Sequence, residues 1–225
     1  EDYECAIRKK FKAGFIKKIN GVGIDLNKFT PQTEELKIKL REEYQFDKDD
    51  FILMYAAELN YNKHQDLLIN VVNLLKDKIP NIKLLLAGTG KLRKQYEEQI
   101  RAKNLQKYVK LLGLRKDIPK LLKLSDVAVA SSRREGLPVN VMEAMATGLP
   151  LVVTKTRGHI DLVKHCINGF VVGIDDIKGF ANAIEKLYKF ETLRESYGKK
   201  NLELIKDYSI KNVIEQMKEV YEYYI

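Results

Sequence analysis

The sequence has 225 residues, of which 45% are hydrophobic and 32% are charged, and its formal net charge is +9. This length suits one large domain or two small ones, with the hydrophobic content of a folded soluble protein. No apolar run approaches the roughly 18 residues that a membrane span needs. The two cysteines and three histidines lack metal-ligand spacing, so we expect free thiols, a cytoplasmic location and no metal site. His159 and His165 are expected at the surface or at the edge of a site.

The positive charge is unevenly distributed. Residues 51–150 carry 17 basic and 9 acidic side chains, which accounts for nearly all of the excess. An anionic small ligand, an anionic membrane surface and nucleic acid each fit such a surplus. We expect no nucleic-acid partner, because the chain has no nucleic-acid motif and no aromatic residues interleaved with its lysines. A lysine-rich surface that keeps the protein soluble explains much of the charge equally well.

The chain does not begin with methionine, and its first residues, Glu1-Asp2-Tyr3-Glu4, are unlike a secretory signal. We therefore expect the sequence to be part of a longer protein. Residues 1–12 have helical character, and Phe15–Ile19 is a candidate for a short strand. Pro31–Tyr44 is predicted to be a charged helix with two leucines on one face.

Between residues 51 and 173, apolar segments of strand length alternate with segments of helical character. The first apolar segment is hydrophobic throughout, which is typical of a parallel strand buried on both faces. This alternation predicts an α/β fold, namely a Rossmann-like parallel sheet with helices on both faces. The predicted strands are Phe51–Ala57, Ile82–Ala87, Tyr108–Leu112, Asp126–Ala130, Leu151–Thr154 and Gly169–Val172. After the last strand, helices are predicted over 176–188, 191–206 and 209–224.

The segment Arg134–Pro150 predicts a turn that leads into a helix. Pro138 suits the first helical position, where its missing N–H costs nothing, and Gly148 followed by a proline ends the helix. The flanking strands make this a βαβ unit, which places the helix N-terminus at the carboxyl edge of the sheet. Free N–H groups and the helix dipole suit a phosphate there. Two carboxylates frame the helix start, Glu135 before it and Glu143 inside it.

This stretch, EGLPVNVMEAMATGLPLVV, resembles the retaining glycosyltransferases of family 4, which have the GT-B fold. Both glutamates and the surrounding glycines and prolines fall in register with that family. The resemblance covers nearly the whole chain, is densest over 126–173 and implies the C-terminal, donor-binding half of the fold. On this basis, 1–24 is the tail of a missing N-terminal domain with the interdomain crossover, and 25–208 is a nucleotide-sugar-binding domain. Residues 209–225 would form a helix that crosses back to the N-terminal domain.

The resemblance implies roles for individual side chains. Glu135 would bind hydroxyls of the donor sugar and Lys63 the donor diphosphate, and these two are the expected catalytic residues. Glu143 would accept hydrogen bonds from the two ribose hydroxyls. Glu58, which stands where the family has the arginine that it pairs with this lysine, is also expected to bind the donor. Its negative charge leaves open how the second phosphate charge is neutralised.

The turn and a second loop complete the expected donor site. Main-chain N–H groups of the turn would face phosphate or sugar oxygens, except at the proline, which has none. Leu114 would lie against the nucleobase ring, and Arg115 matches the region that holds the base. The expected donor-binding residues of the turn are Gly136, Leu137, Pro138 and Val139.

Several of these residues have simpler interpretations. Lys63 alone reads as a solvated loop lysine, Arg115 as a partner of Asp117 at a helix start, and Glu143 as half of an ion pair with a lysine. A buried carboxylate without a partner is expensive, which favours a ligand for Glu143. A glycosidase pair is disfavoured for Glu135 and Glu143, because eight helical residues rise about 12 Å and such pairs need about 5–9.5 Å.

The run Gly88-Thr89-Gly90-Lys91 invites two other interpretations. A Walker loop needs a glycine where Leu85 stands, and a dinucleotide fingerprint needs one at Arg93. Both fail, so we expect a tight strand-to-helix turn near the site.

The resemblance implies an enzyme that transfers a sugar, with retention, from a nucleotide sugar to a glycan or polyprenyl-linked acceptor. UDP is the expected nucleotide, and no cofactor or metal is expected. Capsule, exopolysaccharide or lipopolysaccharide assembly is the expected setting, with peripheral contact at the inner face of the membrane. The fragment alone is expected to be inactive. Two alternatives stay open: a truncated module that binds nucleotide without catalysis, and a GT-B sugar-nucleotide epimerase.

Overall fold

The computed structural model describes residues 2–223 and 225, so Glu1 and Tyr224, which fall in the predicted first and last helices, lie outside the described residues. The strands are β1 (Phe51–Ala56), β2 (Ile82–Ala87), β3 (Val109–Gly113), β4 (Val127–Ala130), β5 (Leu151–Thr154) and β6 (Gly169–Val172). They form one parallel sheet in the order β3-β2-β1-β4-β5-β6. The predicted Rossmann-like α/β architecture is confirmed, with strand bounds shifted by no more than a residue at either end.

Helices cover both faces of the sheet. They are α1 (Asp2–Arg8), α2 (Glu34–Glu43), α3 (Gln65–Leu75), α4 (Arg93–Ala102), α5 (Ile118–Lys123), α6 (Val139–Ala146), α7 (Arg157–Leu162), α8 (Ile177–Lys189), α9 (Glu191–Leu204) and α10 (Ile210–Glu222), with a 3-10 turn at Ile205–Tyr208. Helix α3 packs on α4 and α8, α2 packs on α5, and α6 packs on α7 and α9. Among the helices of the described residues, none combines the length and apolarity needed to cross a membrane.

The strand order creates a topological switch point. Strand β1 is buried from Phe51 to Tyr55 and pairs with β2 on one side and β4 on the other. The chain leaves β1 towards β2 and leaves β4 towards β5, so a crevice opens between their carboxyl ends, where open α/β sheets bind ligands. Lys63 lies in the loop after β1, and Glu135 lies in the loop after β4.

Helix α6 begins one residue later than predicted. Pro138 is not the first helical residue, because its ψ of 101° is extended even though its φ of −79° suits a helix. It therefore occupies the capping position, and Val139 is the first helical residue. The predicted stop at Gly148 is confirmed, since its φ of +78° lies in the left-handed region.

The predicted strand Phe15–Ile19 is wrong. The segment pairs with no strand of the sheet and lies against α10 instead. Phe15 stacks on Tyr223 with ring centroids 4.8 Å apart, and the Asn20 N–H donates to Gln216 Oε1 at 2.8 Å. Its short apolar run carries no information about which element covers it. The first helix is also shorter than predicted and ends at Arg8.

We expect amide hydrogen exchange to be faster in residues 3–20 and 215–223 than in Phe51–Ala57. Within the described part of α10, Val213 is the one buried side chain, while Ile214 and Tyr221 are 58% and 63% exposed. Segments with few buried apolar contacts open at low free energy, whereas the central strand opens only with the whole domain. Exchange mass spectrometry on a demonstrated monomer measures this, and equal protection of both ends and the central strand would contradict it.

Candidate functional site

The loops after β1 and β4 bring Lys63 and Glu135 together at the switch point. Lys63 Nζ lies 2.5 Å from Glu135 Oε1, although 72 positions separate the residues in sequence. The two side chains are 22% and 10% exposed, so the ion pair is largely shielded from solvent. Lys63 is therefore not the freely solvated loop lysine of the simpler interpretation.

Buried hydroxyl groups hold the Glu135 carboxylate. Ser132 Oγ donates to Glu135 Oε1 at 2.6 Å, and the Tyr55 hydroxyl lies 2.8 Å from Ser132 Oγ. Burial raises the pKa of Tyr55 above its usual 10.0, so its phenol stays protonated and can donate at neutral pH. Within residues 2–223 and 225, no group bonds the second carboxylate oxygen, Oε2, which leaves an acceptor for a ligand.

The start of α7 supports the Glu135 loop. The Gly158 N–H donates to the Glu135 main-chain oxygen at 3.3 Å. His159 is fully buried rather than at the surface, and its Nδ1 contacts the Thr154 carbonyl oxygen at 2.9 Å. Its Nε2 has no partner in the described part of the chain, and burial lowers the pKa of the imidazole, which favours the neutral form.

The turn before α6 offers main-chain donors. The described residues supply no acceptor for the N–H groups of Gly136, Leu137 and Val139. Asn140 turns its amide the other way and donates to the Ala56 oxygen at 3.1 Å, which ties the start of α6 to the end of β1. These three N–H groups thus lie beside the Lys63–Glu135 ion pair. They are at a helix N-terminus, an arrangement suited to anionic oxygens.

Glu143 lies inside α6 and is mostly buried. Burial raises the pKa of its carboxyl group from 4.5 to about 7, and the positive charge of Lys28 opposes that rise. Among the described residues no lysine forms an ion pair with it, and no side chain hydrogen-bonds its carboxylate. The predicted alternative of a lysine ion pair is therefore wrong. The carboxylate is available to a hydroxyl-bearing ligand.

A cavity of about 300 Å³ lies at the carboxyl ends of β1 and β2. Glu58, Leu114 and Arg115 all line it, so three predicted donor-binding residues share one cavity. Arg115 also forms the predicted alternative contact: its Nε and Nη2 donate to the two carboxylate oxygens of Asp117 at 2.8 and 2.5 Å. Arg115 therefore pairs with Asp117 and lines the cavity at the same time.

The turn at Gly88 is a close backbone contact. Its φ is +150°, and a Cβ atom there would lie 2.0 Å from the Ala57 carbonyl oxygen. A glycine is required because β2 approaches the loop after β1 here. The expected tight strand-to-helix turn is confirmed, and it forms part of the cavity wall.

The helical separation predicted between Glu135 and Glu143 is not formed. Glu135 lies in the loop before α6, so the rise per helical residue does not set its distance to Glu143. Their environments do differ: Glu135 is ion-paired, while Glu143 is mostly buried and forms no ion pair within the described part of the chain. Glycosidase pairs also combine a protonated and an ionised carboxyl group, so this difference does not separate the two roles.

Sequence reasoning missed several residues that shape the site. Tyr55 reads as one more core residue of β1, and Tyr44 as the end of a charged helix. Their hydroxyl groups reach Ser132 and Asp117, respectively 77 and 73 positions away. Asn140 offered one local signal, a polar residue in the first turn of an apolar helix.

The chain matches a known family over most of its length. Residues 37–204 match the family described as glycosyl transferases group 1. The chain belongs to this family, and its fold is that of the C-terminal half of GT-B glycosyltransferases.

Two relatives align along almost the whole chain. It is 38% identical to "Putative glycosyltransferase EpsD" of Bacillus subtilis (strain 168), over all of this chain and 59% of that protein. It is 28% identical to UDP-Gal:alpha-D-GlcNAc-diphosphoundecaprenol alpha-1,3-galactosyltransferase of Escherichia coli, over 98% of this chain and 58% of that enzyme. The chain thus spans less than two thirds of either relative.

A solved structure has the same fold. Crystal structures of HepE from Anabaena, in complex with UDP or with UDP-glucose, superpose with TM-scores of 0.88 and 0.86. The sequence identity is 24%, and the match covers 98% of this chain and 61% of HepE.

Proposed function

We propose that this chain is the donor-binding half of a retaining glycosyltransferase of family 4, which transfers a sugar from a UDP-sugar to a glycan or polyprenyl-linked acceptor and releases UDP. The observation that carries the proposal is the Lys63–Glu135 ion pair at the switch point, beside main-chain N–H groups at the start of α6 that have no acceptor among the described residues. A cation, a carboxylate with one unused oxygen and a set of anion-binding donors meet where a diphosphate and a sugar would be held together.

Lys63 and Glu135 would act together on the donor. A lysine ammonium has three donors, so Lys63 can stay bonded to Glu135 and also contact the diphosphate. Glu135 would accept hydrogen bonds from sugar hydroxyls through Oε2. As the bond from the sugar to the diphosphate breaks, negative charge grows on the leaving oxygen. Lys63 and the N–H groups of Gly136, Leu137 and Val139 would stabilise that charge without requiring a metal.

The nucleoside would extend from the diphosphate towards β1 and β2. Glu143 would accept hydrogen bonds from the ribose hydroxyls, which compensates the desolvation of its carboxylate. The base would enter the cavity lined by Leu114 and Arg115. Glu58, which lines the same cavity, would face the nucleoside, and its carboxylate does not supply the positive charge that an arginine would supply there.

A relative and the charge distribution support a proposal for the setting of the reaction. The name of the Escherichia coli relative includes a UDP-linked galactose and a diphosphoundecaprenol carrier, which supports a UDP-sugar donor and a polyprenyl-linked acceptor. The basic excess in residues 51–150 would suit peripheral contact with an anionic membrane at its cytoplasmic face. We propose a role in capsule, exopolysaccharide or lipopolysaccharide assembly.

A titration panel tests donor binding. Calorimetry with UDP, ADP and GDP should detect binding of at least UDP, and the corresponding nucleotide sugars should identify the donor. Product analysis with the intact protein would separate transfer with retention from inversion and from epimerisation of the sugar. Absence of any nucleoside diphosphate binding would contradict the proposal.

We expect the 225-residue polypeptide to bind UDP yet to show no transfer. It spans 59% of EpsD, and a nucleotide module without catalysis is the alternative that this observation favours. Acceptor-dependent release of UDP from a UDP-sugar measures the difference, with the full-length Escherichia coli galactosyltransferase as the positive control. Turnover by the purified polypeptide would contradict this prediction.

A further inference from the structure

Three donors converge on the Asp117 carboxylate beside the 300 Å³ cavity. Arg115 donates Nε to Oδ1 and Nη2 to Oδ2, and the Tyr44 hydroxyl donates to Oδ2 at 2.5 Å. Tyr44 also lies beneath the guanidinium, whose carbon is 5.9 Å from the ring centroid. The bidentate pair fixes the guanidinium plane, and the tyrosine adds a second anchor from another element.

Asp117 does not cap the helix that it precedes. An aspartate at this position commonly accepts a hydrogen bond from the first turn, but here its side chain makes no capping bond to α5. The hydrogen bond with Arg115 lowers the pKa of Asp117 to about 2, so the carboxylate stays ionised in the range where the protein would work. Its bonds are therefore directed at Arg115 and Tyr44 rather than at local helix stability.

The bidentate contact determines which part of Arg115 remains for a ligand. Nε and Nη2 face Asp117, while Nη1, with two N–H donors, takes part in neither bond. Arg115 lines the cavity with Leu114, whose side chain is 78% exposed. A fixed pair of donors beside an apolar face suits a flat ring with a carbonyl oxygen, such as uracil, better than adenine, which has no carbonyl group.

We propose that Tyr44 and Asp117 are positioning residues that set base selectivity by holding Arg115 towards the carbonyl edge of an oxo-base. This inference rests on the proposed function, because it takes the cavity as the base site. It adds two residues outside the nucleotide contacts and assigns them to discrimination between bases. A merely structural role, in which they tie α2 to α5, would leave that discrimination unchanged.

The chain offers a matched control for the structural role. Glu43 and Lys120 form an ion pair at 2.8 Å between the end of α2 and α5, and both side chains are about half exposed. Glu43→Gln removes this link next to Tyr44 without touching Arg115. Asp117→Asn and Tyr44→Phe keep the size of each side chain while removing the charge or the hydroxyl.

The experiment measures dissociation constants of UDP and ADP by calorimetry for wild type, Asp117→Asn, Tyr44→Phe, Arg115→Ala and Glu43→Gln. We expect wild type to favour UDP. Arg115→Ala and Asp117→Asn should weaken UDP binding roughly tenfold or more, the usual effect of losing a hydrogen bond to a charged group, and should leave ADP binding nearly unchanged. Tyr44→Phe should have a smaller effect in the same direction, and Glu43→Gln should alter neither constant.

The outcomes distinguish the positioning role of Tyr44 and Asp117 from the proposed function. Equal losses for UDP and ADP in Asp117→Asn, or the same effect from Glu43→Gln, would overturn the positioning role while leaving UDP binding intact. Equal affinity of wild type for UDP and ADP would overturn it as well. Failure of wild type to bind any nucleoside diphosphate would overturn the proposed function and this inference with it.

Discussion

Lys63→Ala is expected to weaken UDP binding by roughly ten- to a hundredfold, the range for a lost hydrogen bond to a charged group. Affinity for uridine should change little, because the nucleoside lacks the diphosphate. The ammonium group of Lys63 lies 2.5 Å from Glu135 in a largely shielded position, where a charge interaction is screened less than at the surface. Calorimetric titration with UDP and with uridine measures both effects.

Truncating Lys63 also leaves Glu135 with one partner fewer. The carboxylate keeps its bond from Ser132, so we expect a loss of about 1–3 kcal/mol in the free energy of unfolding. The double variant Lys63→Ala/Glu135→Gln removes the unpaired charge and should recover most of this stability without recovering UDP affinity. Lys91→Ala, which removes an exposed lysine at the Gly88 turn, controls for net charge. Equal losses for UDP and uridine would count against a phosphate contact.

The sequence predicted the sheet because each strand carries its own signal. Phe51–Ala56 and Ile82–Ala87 are apolar runs that only a two-sided burial accommodates, and every one of their residues except Lys83 is hydrophobic. Phe15–Ile19 carried a similar but shorter signal and formed no strand. Whether an apolar segment pairs with a sheet or covers a helix depends on neighbours, which a local pattern does not specify.

The candidate site was predictable only as far as the order of strands and helices determines it. Two loops at the carboxyl edge, one with Lys63 and one with Glu135, follow from the order of strands and helices. Their direct ion pair does not, since it depends on loop conformations and on the Ser132 and Tyr55 hydroxyls behind them. The Arg115–Asp117 contact was predictable from spacing, whereas the contribution of Tyr44 required the packing of α2 on α5.

Glu143→Gln is expected to stabilise the folded protein near pH 8 while weakening UDP binding. The folded pKa of about 7 lies above the usual 4.5 of this carboxyl group. Between these values the folded protein holds a proton that the unfolded chain has released. Stability from this group is therefore greatest below about pH 4.5, falls as the pH rises towards 7 and then levels off.

The size of this effect follows from the separation of the two pKa values. The whole difference between the two pKa values corresponds to a change of about 3 kcal/mol in the free energy of unfolding, and residual solvent around Glu143 reduces this change. Denaturant unfolding at about pH 5 and pH 8 measures it, and the glutamine variant should lose less stability over that interval than wild type. Glu35→Gln, which removes an exposed carboxylate from α2, should follow wild type. A glutamine variant with the same pH dependence as wild type would contradict the prediction.

Binding of UDP should shift the pKa of Glu143 in the direction opposite to the shift on folding. Ribose hydroxyls donate to an ionised carboxylate, so binding of UDP should lower the pKa of Glu143 and release a proton near neutral pH. Wild-type affinity should accordingly rise between about pH 6 and pH 8 relative to Glu143→Gln, in which the amide cannot titrate. The UDP phosphate titrates in the same range, but it does so with both proteins, so their difference isolates Glu143. Calorimetry in buffers of different ionisation enthalpy counts the proton directly. If the two proteins release the same number of protons and bind UDP equally well, Glu143 does not hold the ribose.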